Sequence, residues 1–385
     1  MTPKKPLHVT LISHSADLAG AELSLLEQAL AFQNEGIIPT VILPRTGPLE
    51  EALRAEGIST IRQYFPWIMT DKPHSPLSSA LRKRLNQLAA MRLFASTRSN
   101  APEIVITNTT VIGVGHYLAK LHGATHLWFA HEVPSQFHGR AGMLHFLGKA
   151  GSPIIGNSQH TIDAWPSQTS GQLTLHPTPH YPIIRPERLS RPAQSPPNPS
   201  PTARLNLASV GRICAAKNQK LILDLARAFA PNYGSVHIHL IGSSDPVYQK
   251  SLLLELEADP AATQIQLHLH PHHPAPFSQI PTDSLFVQPS PTETLGRTTV
   301  EAMASGFLVL VVNQGGSTEL VDSEETRGLL FSPPAQGVPD ELNHLVSRLG
   351  DMEWKTRTRQ DATRFARTFA DATPHLNIMK TFGKR

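Results

Sequence analysis

The sequence predicts an α/β protein made of two doubly wound domains, and three observations carry that reading. At 385 residues the chain exceeds one ordinary domain and is long enough to bury two cores. Short apolar runs alternate with helical patterns in each half, which is the rhythm of a parallel sheet covered by helices. Between the halves, Ser190 to Ala203 is a run of Pro, Ser and other polar residues, stiff and unable to feed a core. The expected division is 1–185 for the first domain, 186–203 for a linker, 204–350 for the second domain, and 351–385 for a basic helical tail packing back on the first.

Taken in order, Leu7 to Ser13 is a short buried strand, and Ala21 to Asn34 is helical with Leu23, Leu26, Leu30 and Phe32 as apolar markers. Ile38 to Leu43, Ile104 to Thr107, His126 to Phe129 and Ile154 to Gly156 are the further strands of this half. After the linker, strands are expected at Leu205 to Val210, His237 to Ile241, Leu285 to Val287 and Leu308 to Val312. Helices fall between them at Gln219 to Phe229 and Arg297 to Ala304. Doubly wound domains place ligands at the carboxyl ends of their strands, so a cleft between two of them suits a reaction joining two molecules.

Composition narrows the function. With 40% hydrophobic and 17% charged residues the chain is globular rather than disordered, and 34 prolines predict many loops. A single cysteine, Cys214, excludes an internal disulfide framework. No signal-peptide pattern and no apolar run of the roughly 18 to 20 residues needed to span a bilayer is found. A cytoplasmic protein is expected, with contact at the inner face of the membrane left open. A net charge of +4 without a nucleic-acid motif points away from DNA and RNA and toward acidic small molecules or anionic lipid. The histidine-rich His268-Leu269-His270-Pro271-His272-His273 lacks carboxylate or cysteine partners at ligand spacing, so it reads as a strand end and a proline-rich loop, with no metal site.

The most informative segment runs from Gln288 to Gly306. A strand ends, a Pro/Ser loop turns, and a helix starts near Gly296, so free backbone N–H groups and the positive end of the helix dipole face the loop. That is an anion site suited to a diphosphate. Glu293 lies in the loop and Glu301 two helical turns further on, both able to accept hydrogen bonds from sugar hydroxyls. The segment resembles the Glu-x7-Glu signature of retaining glycosyltransferases of the GT-B fold, family four. Asn313-Gln314-Gly315-Gly316-Ser317-Thr318-Glu319 resembles the glycine-pair loop that follows it in that family.

Other stretches extend the resemblance over most of the chain, least from Gln63 to Asn100 and in the linker. Gly211-Arg212 with Lys217-Asn218 resembles the family's Gly-Arg-x4-Lys stretch, and both cations suit a departing nucleoside diphosphate. Ala19-Gly20-Ala21-Glu22 resembles its Gly-Gly-Ala-Glu loop, except that Ala19 stands for the first glycine, which puts a special backbone angle there in question. His131, just beyond an apolar strand, matches a histidine that faces the family's reaction centre. Asn157-Ser158 resembles another family junction, and Asn108-Thr109 lies at a comparable strand end.

The resemblance implies His131, Arg212, Lys217 and Glu293 as catalytic residues. It implies donor binding by Gly20, Gly211, Arg212, Lys217, Gly242, Glu293, Thr294, Leu295, Gly296, Arg297 and Glu301, with Glu293 orienting the sugar and Glu301 the ribose. The implied reaction is transfer, with retention, from a nucleotide-diphosphate sugar to a carbohydrate or lipid-linked acceptor in envelope polysaccharide or glycolipid synthesis. No cofactor is expected, since no Asp-x-Asp triplet supplies a metal chelate. A nucleotide-sugar epimerase and a non-catalytic binding module, the latter motivated by Ala19 and by Leu308 where the family commonly has proline, are the alternatives. In the least similar stretch, Leu81, Leu85 and Leu88 share a helical stripe beside Arg82, Lys83, Arg84 and Arg92. Two readings stay open there: a core-facing helix with a basic solvent side, or a helix resting on an anionic membrane.

Overall fold

The computed structural model describes residues 6–69, 75–137, 140–166, 173–189, 204–258, 263–333 and 339–383. The chain divides into two units, Met1–Ile184 with Asp371–Arg385, and Arg185–Ala370. The greater part of the expected linker, 190–203, lies outside the described residues.

In the first unit the order is β1 (His8–Ile12), α1 (Gly20–Asn34), β2 (Ile38–Leu43), α2 (Pro48–Ala55), β3 (Ser59–Arg62), α3 (Pro76–Thr97), β4 (Ile104–Thr107), α4 (Val114–His122), β5 (Thr125–Ala130), α5 (Arg140–Ala150), β6 (Ile154–Gly156) and α6 (Gln159–Asp163). The sheet is parallel, in the order β3-β2-β1-β4-β5-β6. Strands β1, β4 and β5 bury both faces, which explains their near-continuous apolar sequences.

The second unit repeats the plan with β7 (Arg204–Val210), α7 (Lys220–Phe229), β8 (Ser235–Ile241), α8 (Pro246–Glu257), β9 (Ile265–His270), β10 (Leu285–Gln288), α9 (Arg297–Ala304), β11 (Leu308–Val312), β12 (Leu329–Phe331), α10 (Pro339–Gly350) and α11 (Met352–Arg367). Its sheet is again parallel, ordered β12-β11-β10-β7-β8-β9. In both sheets the order reverses beside the first strand, and that switch point opens a crevice at the strands' carboxyl ends.

The tail does not return to the first unit in one piece, as the sequence led us to expect. Trp354, at the start of α11, joins the core of the second unit, and Thr363 Oγ1 donates to Met303 O at 2.8 Å. The last helix, α12 (Thr373–Phe382), alone packs in the first unit, where Ile378 and Met379 meet Val9, Leu11 and Ile106. The division follows from apolar content, because α11 already has a partner for its one buried stripe of Trp354, Ala362 and Ala366.

The core-facing reading of the leucines on α3 is also overturned. Asn86, Ala89, Ala90 and Leu93 face inward, whereas Leu81, Leu85 and Leu88 are exposed. On the inward side, Asn86 Oδ1 accepts from Gly113 N, at the head of α4, at 3.1 Å.

Candidate active site

In the second unit three loops meet at the carboxyl ends of β7, β10 and β11. Ser290 Oγ, in the loop after β10, donates to Ala216 O at 3.2 Å in the turn after β7. Gly316 N, after β11, donates to Glu293 O at 2.7 Å. A β-carbon on Gly316 would sit 1.8 Å from Thr294 O, so only glycine lets the two loops touch. The loop then enters α9 through Gly296, which caps the helix in the left-handed region at φ 95°.

The head of α9 is rich in polar groups. An α-helix leaves its first amides without partners inside the helix, so they concentrate partial positive charge at Gly296 and Arg297. Thr299 Oγ1 and Ser317 Oγ flank Gly296, both buried, and neither hydroxyl has a hydrogen-bond partner among the described residues. Unpaired buried hydroxyls are costly and uncommon, so two beside one glycine mark a place where a ligand oxygen is expected.

Lys217 and Glu293 come together here, with Nζ 2.5 Å from Oε2. Lys217 ends a short helical turn, Ala215–Lys217, held by buried Gln219, whose amide donates to Arg212 O at 2.9 Å and whose Oε1 accepts from Cys214 N. Arg212, just ahead of that turn, is exposed. Gly211 N donates to Ile241 O at 2.9 Å and Gly242 N to His270 O at 3.1 Å, which places both glycines in the strand-end row. Glu301 is buried on the first turns of α9, its Oε1 3.7 Å from an Arg188 nitrogen and 3.9 Å from Arg297. These separations give charge attraction but not hydrogen bonds.

The first unit gathers its own set at the ends of β4, β5 and β6. Asn108 Nδ2 donates to Ala21 O at 2.8 Å, which fixes the amide so that Oδ1 turns toward His131 Nε2 at 2.9 Å. His131 therefore carries its proton on Nε2 toward Asn108, and its Nδ1 faces the Asn157 amide at 3.5 Å. Glu132 accepts from Thr109 Oγ1, Thr110 N and Thr110 Oγ1, closing the loop that follows β5. Ser158 caps α6 by accepting from Thr161 N. At the end of β1, buried Glu22 accepts from Ser15 Oγ at 2.8 Å and lies 3.5 Å from His14 Nε2.

The structure thus joins the turn that carries Lys217 to Glu293 and to the loop that enters α9, along which Thr294, Leu295, Gly296, Arg297 and Glu301 follow; Gly211 and Arg212 precede that turn, and Gly242 follows the neighbouring strand β8. His131, Asn108 and Asn157 form a second constellation, tied to the head of α1 through Asn108 Nδ2 on Ala21 O, next to Gly20. Ala19, where a glycine was in question, is an extended N-cap at φ −95° and ψ −173°, an angle any residue adopts. Sequence reading missed Thr299, Ser317, Arg188 and Glu132. The two hydroxyls lay inside quoted motifs, but nothing in residue type alone marks a hydroxyl as unpaired.

Residues 190–367 match the family described as glycosyl transferases group 1. A sequence comparison with curated proteins finds no significant match. Solved structures resemble the chain along nearly its whole length. The Anabaena protein HepE, in complex with UDP and glucose, is 19% identical with a TM-score of 0.73, covering 98% of this chain and 99% of that one. A glycosyltransferase from Rickettsia africae is 15% identical with a TM-score of 0.75, covering 99% and 100%. The pneumococcal O-GlcNAc transferase GtfA, in complex with UDP and GlcNAc, is 13% identical with a TM-score of 0.69, covering 98% and 99%. At these identities the likeness establishes the fold, which is the GT-B architecture of two Rossmann-like units.

Proposed function

We propose that the chain is a retaining glycosyltransferase that moves a sugar from a nucleotide-diphosphate donor to an acceptor hydroxyl. The observation that carries this reading is the Lys217–Glu293 pair at the head of α9, beside Gly296 and the glycine-pair loop, within the residues that match the glycosyl transferases group 1 family.

In this reading the diphosphate lies against the first amides of α9, with Arg212 and Lys217 adding cationic donors. Charge grows on the leaving phosphate as the glycosidic bond breaks, so donors fixed beforehand stabilise the transition state more than the ground state. Glu293 accepts from hydroxyls of the transferred sugar, and Glu301, held between Arg188 and Arg297, accepts from the ribose. The leaving phosphate takes the proton of the incoming acceptor hydroxyl. His131, held by Asn108, is the first unit's own candidate for a catalytic polar group.

Transfer needs no metal in this scheme, because the charges that neutralise the diphosphate are supplied by protein groups. It should survive chelation by EDTA. A carbohydrate or lipid-linked acceptor in envelope synthesis on the cytoplasmic side of a membrane completes the proposal. Ala19 adopts an ordinary backbone angle, which weakens one of the two reasons for a non-catalytic module.

The test is a thermal-shift screen across UDP-, GDP- and ADP-sugars, followed by product analysis with and without acceptor. UDP-sugars come first, since several similar structures hold UDP. A donor raises stability with the logarithm of its excess over Kd, and product then forms only with acceptor present. Conversion of the donor without acceptor supports an epimerase instead, and binding without turnover supports a binding module.

A further inference from the structure

Helix α3 is apolar on both sides, a pattern that a helix on the surface of a water-soluble unit does not need. Its inner side is satisfied by Asn86, Ala89, Ala90 and Leu93, all buried against the unit. On the opposite side Leu77, Leu81, Leu88 and Met91 are exposed by 81, 59, 53 and 60%, with Leu85 at the flank. At 3.6 residues per turn these five positions fall within an arc of about 120° centred near Leu88. Large apolar side chains gathered in this way mark a face that meets something other than water.

The charges on the helix say what that partner is. Arg84 and Arg92 are exposed on the same arc, one turn to either side of Leu88. Arg82 and Lys83 lie to the flanks, where Arg82 donates to Trp67 O at 2.8 Å and Lys83 sits over the Phe146 ring. No Asp or Glu occurs anywhere in α3. Two copies meeting through this face would press arginine against arginine with no carboxylate of the helix to offset them. An anionic lipid surface accepts both features at once, with acyl chains for the leucines and phosphates for the guanidinium groups.

We propose that α3 is a membrane-docking helix, lying in the headgroup region of an anionic bilayer with Leu77, Leu81, Leu88 and Met91 in the acyl boundary and Arg84 and Arg92 on lipid phosphates. The docking is peripheral, because no described helix is long and apolar enough to cross a membrane.

Vesicle co-sedimentation of the full chain tests this without any measurement of turnover, so its outcome is separable from that of the transfer reading. Vesicles of phosphatidylcholine containing about one third phosphatidylglycerol should carry the protein down at low ionic strength, and pure phosphatidylcholine should not. The variants L81S/L88S/M91S and R84E/R92E should each lower partitioning by about tenfold or more while unfolding at the parent temperature, since the altered side chains are exposed. The proposal is overturned by failure of the parent to bind anionic vesicles, by equal binding to both vesicle types, or by variants that bind like the parent. It is also overturned by a parent that sediments as a dimer in solution and becomes monomeric in the leucine variant, because a second copy would then cover the face.

Discussion

Lys217 Nζ lies 2.5 Å from Glu293 Oε2, joining the turn after β7 to the loop after β10. The contact links the two residues assigned to opposite ends of the bond that breaks, one to the leaving diphosphate and the other to the sugar. Each carries charge, and each holds the other in place.

Two groups that position one another act as a unit, so their losses do not multiply. Lys217→Ala should lower turnover by ~10²-fold, the scale for one fixed transition-state donor. Glu293→Gln should lower it as well, and the double variant by clearly less than the product of the two. Initial rates for the four proteins check this. A double variant whose loss equals that product would show that the pair has no mutual role.

Gly316 predicts a structural loss with a functional consequence. A β-carbon there meets Thr294 O at 1.8 Å, a backbone atom that moves only with its loop. Gly316→Ala should destabilise the second unit by about 1 to 3 kcal/mol, as overpacking does, and weaken donor binding in the same protein. Thermal unfolding and donor titration measure both. Parent-like values in the two assays would mean the loops do not touch as described.

Both units should lose stability in mild acid. In the first, burial, with His375 and His176 nearby, lowers the pKa of His180 to about 3. In the second, burial and the neighbouring histidines lower that of His239 to about 4. His239 stands in a row of stacked imidazoles with His237, His268 and His270 on β8 and β9. Above about pH 6.5 both groups are neutral folded or unfolded, and stability is unaffected. Below it the unfolded chain binds protons that the folded chain refuses, so stability falls by about 1.4 kcal/mol per pH unit for each group. The fall continues to about pH 4 for His239 and about pH 3 for His180. Denaturant midpoints between pH 7.5 and 4.5 should show it, with a shallower fall in His239→Gln. A flat profile in the parent would contradict the burial of these rings.

The strands legible in the sequence were those buried on both faces. Leu308–Val312 and Ile104–Thr107 are continuous apolar runs because they lie inside their sheets. Ser59–Arg62 and Leu329–Phe331 carry no strand signal of their own, and both are edge strands. An edge strand has one neighbour and less to bury, so Ser-Thr-Ile-Arg carries little signal. The strand end expected at His268 and His270 is the end of β9, and His272 and His273 lie in the expected loop beyond it. Site residues were legible where backbone geometry constrains the residue type, as at Gly296 and Gly316. Arg188 was not, because it reaches Glu301 from a short helical turn whose sequence, Pro186-Glu187-Arg188, carries no mark of a site.

In the proposed function Glu293 and Glu301 serve different halves of one donor. The most direct measurement is calorimetry with the bare nucleoside diphosphate beside initial rates with the full donor, on Glu293→Gln and Glu301→Gln. Glu301→Gln should weaken diphosphate and donor binding alike, by the ~1 to 3 kcal/mol of impaired hydrogen bonds at a charged group. Glu293→Gln should leave diphosphate binding nearly unchanged and depress turnover. If both variants bind the diphosphate and turn over the donor like the parent, this crevice is not the donor site and the account fails.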